Sequence, residues 1–248
     1  MKRTKIVATI GPSSASKDIL KDMISSGMNV CRINFSHGSY SDHAKVIQYV
    51  RALNEELNTN VAILADLQGP KIRTGEMYDG GVELEVGASI LIQTVDVVGS
   101  KGSFSINYEK LPEDVQRGES ILLDDGKLML EVESTDRKAE IVCKVIQGGV
   151  LSSKKGVNFP NTKISLPSLT QKDERDLDFA IAQDVDWIGL SFVRTAKDIV
   201  DLKQRISVQG GKARVIAKIE KPEALACIDE IVQVCDGIMV ARGDLGVE

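Results

Sequence analysis

The chain has 248 residues, of which 42% are hydrophobic and 27% are charged, and its formal net charge is −5. This composition is typical of a globular protein and excludes collagen, coiled coils and wholly disordered chains, while the negative charge disfavours nucleic acid as a partner. The sequence contains neither a secretory leader nor an apolar run of the roughly 18 residues that cross a bilayer, so we expect no membrane partner and a cytoplasmic location.

The first part of the chain has the pattern of parallel strands joined by helices. Short apolar runs predict strands over residues 5–9, 30–34 and 61–67. Between them, Ser16 and Ser41 are the expected N-caps of two amphipathic helices, and Gly27 is the expected end of the first. This alternation is typical of α/β proteins with a parallel sheet.

The pattern changes after Gly69-Pro70. Residues 82–86 alternate strictly between apolar and polar, and the runs 121–123 and 128–132 flank an Asp125-Gly126 turn, which predicts a hairpin. Further short runs at 90–94 and 140–146 predict more strands without a long helix. We therefore predict a small antiparallel β-barrel domain over residues 70–168.

The helical pattern returns at Thr170, which with Asp173 forms a near capping box. Strands are predicted over residues 187–191, 215–219 and 237–241. Helices are expected between them, over about 196–208 and 222–234, the second opening with Pro222. Six strands of the βα type are thus predicted in all.

The β domain therefore interrupts a barrel domain whose two parts are residues 1–69 and 169–248. A closed (β/α)8 barrel of the TIM type needs roughly 250 residues, so six strands make an incomplete barrel. Because the sequence stops at Gly246-Val247-Glu248, soon after the sixth strand, we expect a truncation inside the barrel domain. The alternative is a complete, doubly wound six-stranded sheet.

Charged and polar side chains gather where the predicted strands end, the place where parallel βα folds bind ligands. Lys218 and Glu220 lie two residues apart at a strand end, so their side chains share one side of the strand, with roughly 7 Å between their Cα atoms. Asp244 follows the neighbouring strand, and two carboxylates with open positions suit Mg²⁺. Gly243 leaves backbone N–H groups open to an anion.

The remaining candidates for chemistry are few. The chain has only two histidines and four cysteines, and the cysteines form no CxxC pair. A zinc site and a disulfide framework are therefore unexpected. His37 is interpreted as a packing or hydrogen-bonding residue and His43 as a surface helix residue. We expect the cysteines to be reduced.

Six motifs, in this order, resemble the pyruvate kinase family over essentially the whole chain. They are Thr4–Ser14 (TKIVATIGPSS), Arg32–Gly38 (RINFSHG), Asp66–Arg73 (DLQGPKIR), Lys154–Asn158 (KKGVN), Ala217–Glu220 (AKIE) and Met239–Glu248 (MVARGDLGVE). The resemblance implies a (β/α)8 barrel with the inserted β domain as a lid. It also implies phosphoryl transfer from phosphoenolpyruvate to ADP, giving pyruvate and ATP in glycolysis.

The resemblance also implies residue roles. Lys218, Arg32 and Arg73 would be catalytic, while Arg32, Lys218, Gly243 and Asp244 would bind the substrate. The expected contacts with the nucleotide ADP or ATP are Asn34, His37, Arg73 and Lys155. Glu220 and Asp244 would hold Mg²⁺ or Mn²⁺, and the K⁺ ligands of the family match Asn34, Ser36, Asp66 and the Leu67 carbonyl.

Two departures from the family pattern lead to separate predictions. Lys71 stands where many members have a glutamate, and its positive charge predicts weak or absent K⁺ dependence. The later strands and the C-terminal assembly domain of the family, which usually forms a homotetramer, are not in this sequence, so we expect this chain alone to be a weak or inactive catalyst.

Two alternatives to a kinase stay open at this point. One is a Mg²⁺-dependent barrel aldolase or lyase acting on a keto acid. The other is a non-catalytic fragment or ligand-binding module.

Overall fold

The computed structural model describes residues 3–247, and Glu248, which ends the sixth motif, lies outside this range together with Met1 and Lys2. The chain divides into two compact units. The first consists of Met1–Pro70 and Ser168–Ala241, and the second of Lys71–Pro167 and Arg242–Glu248. Residues 242–247, which were predicted to belong to the barrel domain, thus group with the second unit. The function of each unit stays a prediction.

One parallel sheet forms the centre of the first unit. Its strand order is β1-β2-β3-β12-β13-β14, which follows the chain without a reversal. A doubly wound sheet would reverse direction at a switch point, so that alternative is wrong, and the winding is that of a βα barrel. The strands are β1 Ile6–Ile10, β2 Met28–Asn34, β3 Ala62–Asp66, β12 Trp187–Leu190, β13 Arg214–Ile219 and β14 Gly237–Val240.

Helices cover one face of this sheet. Ser16 caps the first as predicted, accepting from Ile19 N, and Thr170 forms a capping box with Asp173. The second helix begins after Ser39 and not at Ser41, because the Ser39 hydroxyl accepts from Asp42 N at 3.2 Å. The helices are α1 Lys17–Ser25, α2 Tyr40–Leu57, α4 Gln171–Ala182, α5 Ala196–Val208, α6 Pro222–Ala226 and α7 Ile228–Val234.

The predicted helix over 222–234 is two helices. Cys227, which joins them, has φ −113° and ψ 19°, values outside the helical region. This break of one residue had no signal in the sequence, because no glycine or proline marks it. Within residues 3–247 no helix has the length and apolarity needed to cross a membrane.

Alternate residues of each strand have different surroundings. Cys31 and Ile33 of β2, and Ala217 and Ile219 of β13, belong to the buried cluster formed with the helices. Because strand side chains alternate between faces, Arg32 and Lys218 project from the opposite face of the sheet. The charged residues therefore lie on the face that the helices do not cover.

The second unit has its own hydrophobic core and two sheets. The hairpin predicted at Asp125-Gly126 is confirmed, since strands β7 (Ser120–Leu123) and β8 (Leu128–Thr135) pair antiparallel around it. The expectation of a purely antiparallel domain is wrong, because strands β5 (Ser89–Gln93) and β6 (Ser103–Ser105) pair parallel. The sheets have the orders β11-β7-β8-β9-β5-β6 and β10-β4; the closure of a barrel stays a prediction.

The bounds of the elements in the second unit complete the description. Two of its helices are one turn long, α3 Leu111–Asp114 and α8 Arg242–Leu245. Its strands are β4 Gly81–Leu84, β5 Ser89–Gln93, β6 Ser103–Ser105, β7 Ser120–Leu123, β8 Leu128–Thr135, β9 Glu140–Gln147, β10 Gly149–Ser152 and β11 Val157–Asn158.

Candidate active site

Arg32 and Asp66 form a buried ion pair on neighbouring strands. The Arg32 guanidinium donates from Nε to Asp66 Oδ2 at 2.7 Å and from Nη2 to the same oxygen. Its third nitrogen, Nη1, donates to Thr9 Oγ1 at 2.7 Å. Asp66 is 1% exposed, whereas the Arg32 side chain keeps 25% of its surface. The guanidinium is therefore fixed in orientation and still reachable by an anion.

Lys218 has three oxygen neighbours. Its Nζ donates to Ser191 Oγ at 2.6 Å and lies 3.0 Å from Glu220 Oε1 and 3.2 Å from Asp66 Oδ1. The contact with Asp66 is an ion pair without hydrogen-bond geometry, since Oδ1 accepts no hydrogen bond. Lys218 is 8% exposed and Glu220 is 1% exposed. Together with Arg32, these residues balance two positive and two negative charges, which avoids the cost of unpaired buried charge.

Two residues of this cluster were missed by the sequence analysis. Ser191 links Lys218 to the end of β3, because its hydroxyl accepts from Lys218 and donates to the Leu67 carbonyl at 2.6 Å. Phe192 N donates to Glu220 Oε2 at 2.7 Å, with Phe192 at φ 54°, a left-handed conformation that is costly for a bulky residue. Their position directly after β12 was the available signal, but neither side chain carries a charge.

A cavity of about 630 Å³ opens beside the end of β2. Asn34 and His37, both predicted to contact a nucleotide, line it. Asn34 Oδ1 also accepts from Ser36 N at 3.0 Å, which holds the turn that follows the strand. The wall of the cavity is completed by Thr9, Ile10, Gly11, Pro12, Ala15, Ile33, Gly38, Asp42, His43 and Val46.

His43 lies on helix α2 as predicted and is only partly exposed. Its ring lies 4.7 Å from that of Phe35, and a Cβ on Gly38 would come 2.8 Å from its Cε1. Burial lowers the pKa of His43, an effect partly opposed by a hydrogen bond to the His37 backbone. His43 is therefore a wall residue of the cavity, a position that helical spacing alone did not reveal.

In the second unit, Arg73 and Lys155 lie on adjacent segments. Arg73 bridges antiparallel to Gly156, and its Nη1 donates to the Lys154 carbonyl at 2.9 Å. The Lys155 ammonium pairs with Asp124 Oδ1 at 2.8 Å. Hydrogen bonds from Lys155, and to a smaller extent from Lys127, lower the pKa of the Asp124 carboxyl. Asp124 is thus a third charged residue at this place, one that the sequence analysis did not single out.

The short helix α8 carries Arg242, Gly243 and Asp244. Asp244 Oδ1 lies 4.0 Å from Lys71 Nζ, both in the second unit, and both side chains are partly exposed. A Cβ on Gly243 would meet nothing within 4 Å, so the backbone there is open on that side. Lys71, the residue that departs from the family pattern, therefore pairs with a predicted Mg²⁺ ligand.

The predicted metal ligands already have partners. Of the two predicted Mg²⁺ ligands, Glu220 belongs to the first unit and faces Lys218, while Asp244 belongs to the second unit and faces Lys71. Mg²⁺ commonly takes one or two protein carboxylates together with water and phosphate oxygens. Of the four predicted K⁺ donors, Asn34 Oδ1 and the Leu67 carbonyl already accept from Ser36 N and Ser191 Oγ, and Asp66 faces two cations. Across residues 3–247 no group of three or more His, Cys, Asp or Glu side chains is placed to hold a metal.

The architecture and this cluster define a class of protein. A singly wound parallel βα sheet with charged side chains at the carboxyl ends of its strands is the arrangement of barrel enzymes. Comparison with known proteins is more specific: the model of the family described as "Pyruvate kinase, barrel domain" matches residues 1–248. The chain belongs to the pyruvate kinase family.

Individual relatives agree with this assignment. Over 250 residues the chain is 46% identical to pyruvate kinase from Staphylococcus saprophyticus, and over 249 residues it is 45% identical to the pyruvate kinases of Staphylococcus aureus strains MRSA252 and USA300. Each match covers 100% of this chain and 43% of the relative. The chain thus spans less than half the length of these relatives.

Proposed function

We propose that this chain carries substrate-binding and catalytic residues for phosphoryl transfer from phosphoenolpyruvate to ADP, giving pyruvate and ATP. In this reaction the bond between phosphorus and the enol oxygen breaks, a bond from phosphorus to the terminal oxygen of ADP forms, and the enolate later takes up a proton. The observation that carries the proposal is the buried, charge-balanced cluster of Arg32, Asp66, Lys218 and Glu220.

The cluster has the charges that this reaction requires. Arg32 is fixed by Asp66 and Thr9 and keeps an exposed part with which to bind phosphate oxygens. The Lys218 ammonium would stabilise negative charge that develops on the enolate oxygen and the transferred phosphoryl group. Because such transition states need little covalent help, positioning and charge neutralisation would supply most of the rate.

Divalent metal is part of this proposal. Glu220 and Asp244 would hold Mg²⁺ or Mn²⁺, which when bound neutralises the charge of the phosphate oxygens. The exposed backbone at Gly243 would take part in binding the substrate beside Asp244. The carboxylate chemistry of the two residues supports this assignment.

The nucleotide would use two sets of residues. The cavity lined by Asn34 and His37 has the volume expected of a small-ligand site and would take part of ADP or ATP. Arg73 and Lys155 of the second unit would contribute positive charge for its phosphates. The lid role of this unit, a homotetrameric parent protein and a cytoplasmic location are further parts of the proposal that come from family membership.

We propose weak or absent K⁺ dependence, since Lys71 brings a positive charge where many family members have a glutamate, and since Asn34 Oδ1 and the Leu67 carbonyl already accept hydrogen bonds. The measurement is the rate of a full-length enzyme with these residues in K⁺ and in Na⁺ at equal ionic strength. Activation by K⁺ of about tenfold or more would contradict the proposal.

The central experiment measures pyruvate formation from phosphoenolpyruvate by the purified chain with Mg²⁺ and ADP, using Lys218→Ala as the blank. Since the chain spans 43% of its relatives, we expect weak or no turnover but Mg²⁺-dependent binding of phosphoenolpyruvate that Lys218→Ala weakens. Carbon–carbon cleavage of a keto acid without ADP, or binding unaffected by Lys218→Ala, would overturn the proposal.

A further inference from the structure

One carboxylate contacts both segments through which the first unit connects to the second. The chain leaves the first unit after Pro70 and returns at Ser168. Asp173 Oδ1 accepts from Gly69 N at 3.0 Å, just before the exit. Its other oxygen, Oδ2, accepts from Thr170 N at 2.9 Å and from Thr170 Oγ1 at 2.5 Å, just after the return.

Helix capping explains only half of these contacts. In a capping box the third helical residue bonds back to the N-cap residue, which accounts for the contacts between Asp173 and Thr170. The bond from Gly69 crosses to a segment 104 residues away in sequence and contributes nothing to the cap. Asp173 is 0% exposed, so water cannot replace its carboxylate as the hydrogen-bond acceptor of the Gly69 amide.

The exit segment is also attached to the candidate catalytic cluster. Leu67 N donates to the Gly189 carbonyl at 3.0 Å, and the Leu67 carbonyl accepts from Ser191, the residue that contacts Lys218. Gly69 has φ 69°, and a Cβ there would lie 2.9 Å from Ser191 Cβ. The segment from Leu67 to Gly69 is therefore packed tightly from the cluster up to the exit.

We propose that Asp173 is a positioning residue that fixes both ends of the first unit where the chain leaves for the second unit and returns from it. With Gly69 and Thr170 bound to one buried carboxylate, the chain is held one residue before Pro70 and three residues after Pro167, close to both ends of the inserted segment. The segment that follows Gly69 carries Arg73, one of the proposed nucleotide contacts. The catalytic consequence rests on the proposed function, whereas the restriction itself does not.

The test measures the accessibility of the exit segment to trypsin. Asp173→Ala removes both acceptor oxygens, so the Gly69 amide loses its buried partner together with Thr170. The lost bond to Gly69 involves a charged acceptor, so we expect cleavage after Lys71, detected by mass spectrometry of the fragments, to become about tenfold faster. Asp176→Ala is the matched control, because Asp176 is a buried carboxylate on the same helix that accepts from Tyr40 and Lys172.

A second variant separates this role from capping. Thr170→Val removes the hydroxyl of the cap but leaves the bond between Asp173 and Gly69, so cleavage after Lys71 should stay near the wild-type rate. Equal acceleration in Asp173→Ala and Thr170→Val, or in Asp173→Ala and Asp176→Ala, would overturn the proposal, as would no acceleration in Asp173→Ala.

A measurement on the unmodified chain decides the matter if Asp173→Ala does not fold. Hydrogen exchange should be at least about tenfold slower at the Gly69 amide than at the Lys71 amide, and equal protection would overturn the proposal. These readouts do not depend on catalysis. Failure of the proposed function would instead appear as loss of phosphoenolpyruvate binding in the wild-type chain, with the exchange and cleavage results unchanged.

Discussion

Replacing Asp66 by Asn should destabilise the first unit strongly. The change keeps the shape of the side chain but leaves Arg32 and Lys218 facing each other around a neutral amide, with Glu220 as their one carboxylate within the cluster. Breaking a buried ion pair by removing one partner costs about 3–5 kcal/mol. Since the Arg32 side chain is 25% exposed, water recovers part of this loss, and we expect a decrease of about 3 kcal/mol in the free energy of unfolding.

Urea unfolding followed by tryptophan fluorescence measures this change locally. Trp187 is the one tryptophan of the sequence and lies on β12, which pairs with β3, the strand that ends at Asp66. Asp201→Asn is the control, because Asp201 pairs with Lys197 on an exposed helix face and should change stability by less than about 1 kcal/mol.

A double-mutant cycle with Arg32→Met then isolates the coupling between Arg32 and Asp66. If the cluster is balanced as described, the double variant should be more stable than the sum of the two single losses predicts. A loss below about 1 kcal/mol in Asp66→Asn, or strict additivity in the cycle, would refute the reasoning.

Three further predictions use other parts of the molecule. Ser191→Ala removes a hydrogen-bond acceptor of Lys218, so it should lower turnover, or Mg²⁺-dependent binding of phosphoenolpyruvate, about tenfold, and Ser191→Thr should recover most of the loss. Steady-state kinetics or isothermal titration measures the effect, and a Ser191→Ala variant with unchanged turnover and binding would contradict the prediction. Burial lowers the pKa of His43 below its ordinary value of 6.5, so the unfolded chain binds this proton more readily and stability should fall as the pH drops below about 6.5. The urea denaturation midpoints at pH 7.5 and pH 5.5 should therefore differ less in His43→Gln than in the unchanged chain, and an equal difference in both proteins would count against the prediction. Burial raises the pKa of Cys31 and of Cys143 to about 12, so a thiol reagent at pH 8 should modify the partly exposed cysteines and reach these two only after unfolding, as mass spectrometry of the native protein would show.

Much of the fold could be predicted because its signals are local. The capping serine at Ser16, the capping box at Thr170 and the turn at Asp125-Gly126 each depend on neighbouring residues. The order of the strands was also accessible, because successive βα units tend to place consecutive strands side by side. The break at Cys227 and the parallel pairing of β5 with β6 depend on tertiary packing and had no local signal.

The candidate site divides in the same way. Lys218 and Glu220 could be predicted to share a side of their strand from their spacing alone, and their ion pair measures 3.0 Å. Ser191 could not be recognised, because its role comes from a contact with a residue 27 positions away and a serine at a strand end is common. Asp173 resembled an ordinary capping residue, and only the bond from Gly69 distinguishes it.

The interruption of the first unit has a consequence for how the chain folds. Strands β3 and β12 are neighbours in the sheet, but the whole segment Lys71–Pro167 separates them in sequence. Contacts of such long range slow folding, because the entropy of closing the loop is lost before the contacts form. The second unit has its own core, so if it folds first it shortens the effective loop to the distance between its two ends. We therefore expect a folding intermediate in which the second unit is already folded and β3 has not yet paired with β12. Strand β3 would then join the sheet after the second unit has folded, although β3 is synthesised first.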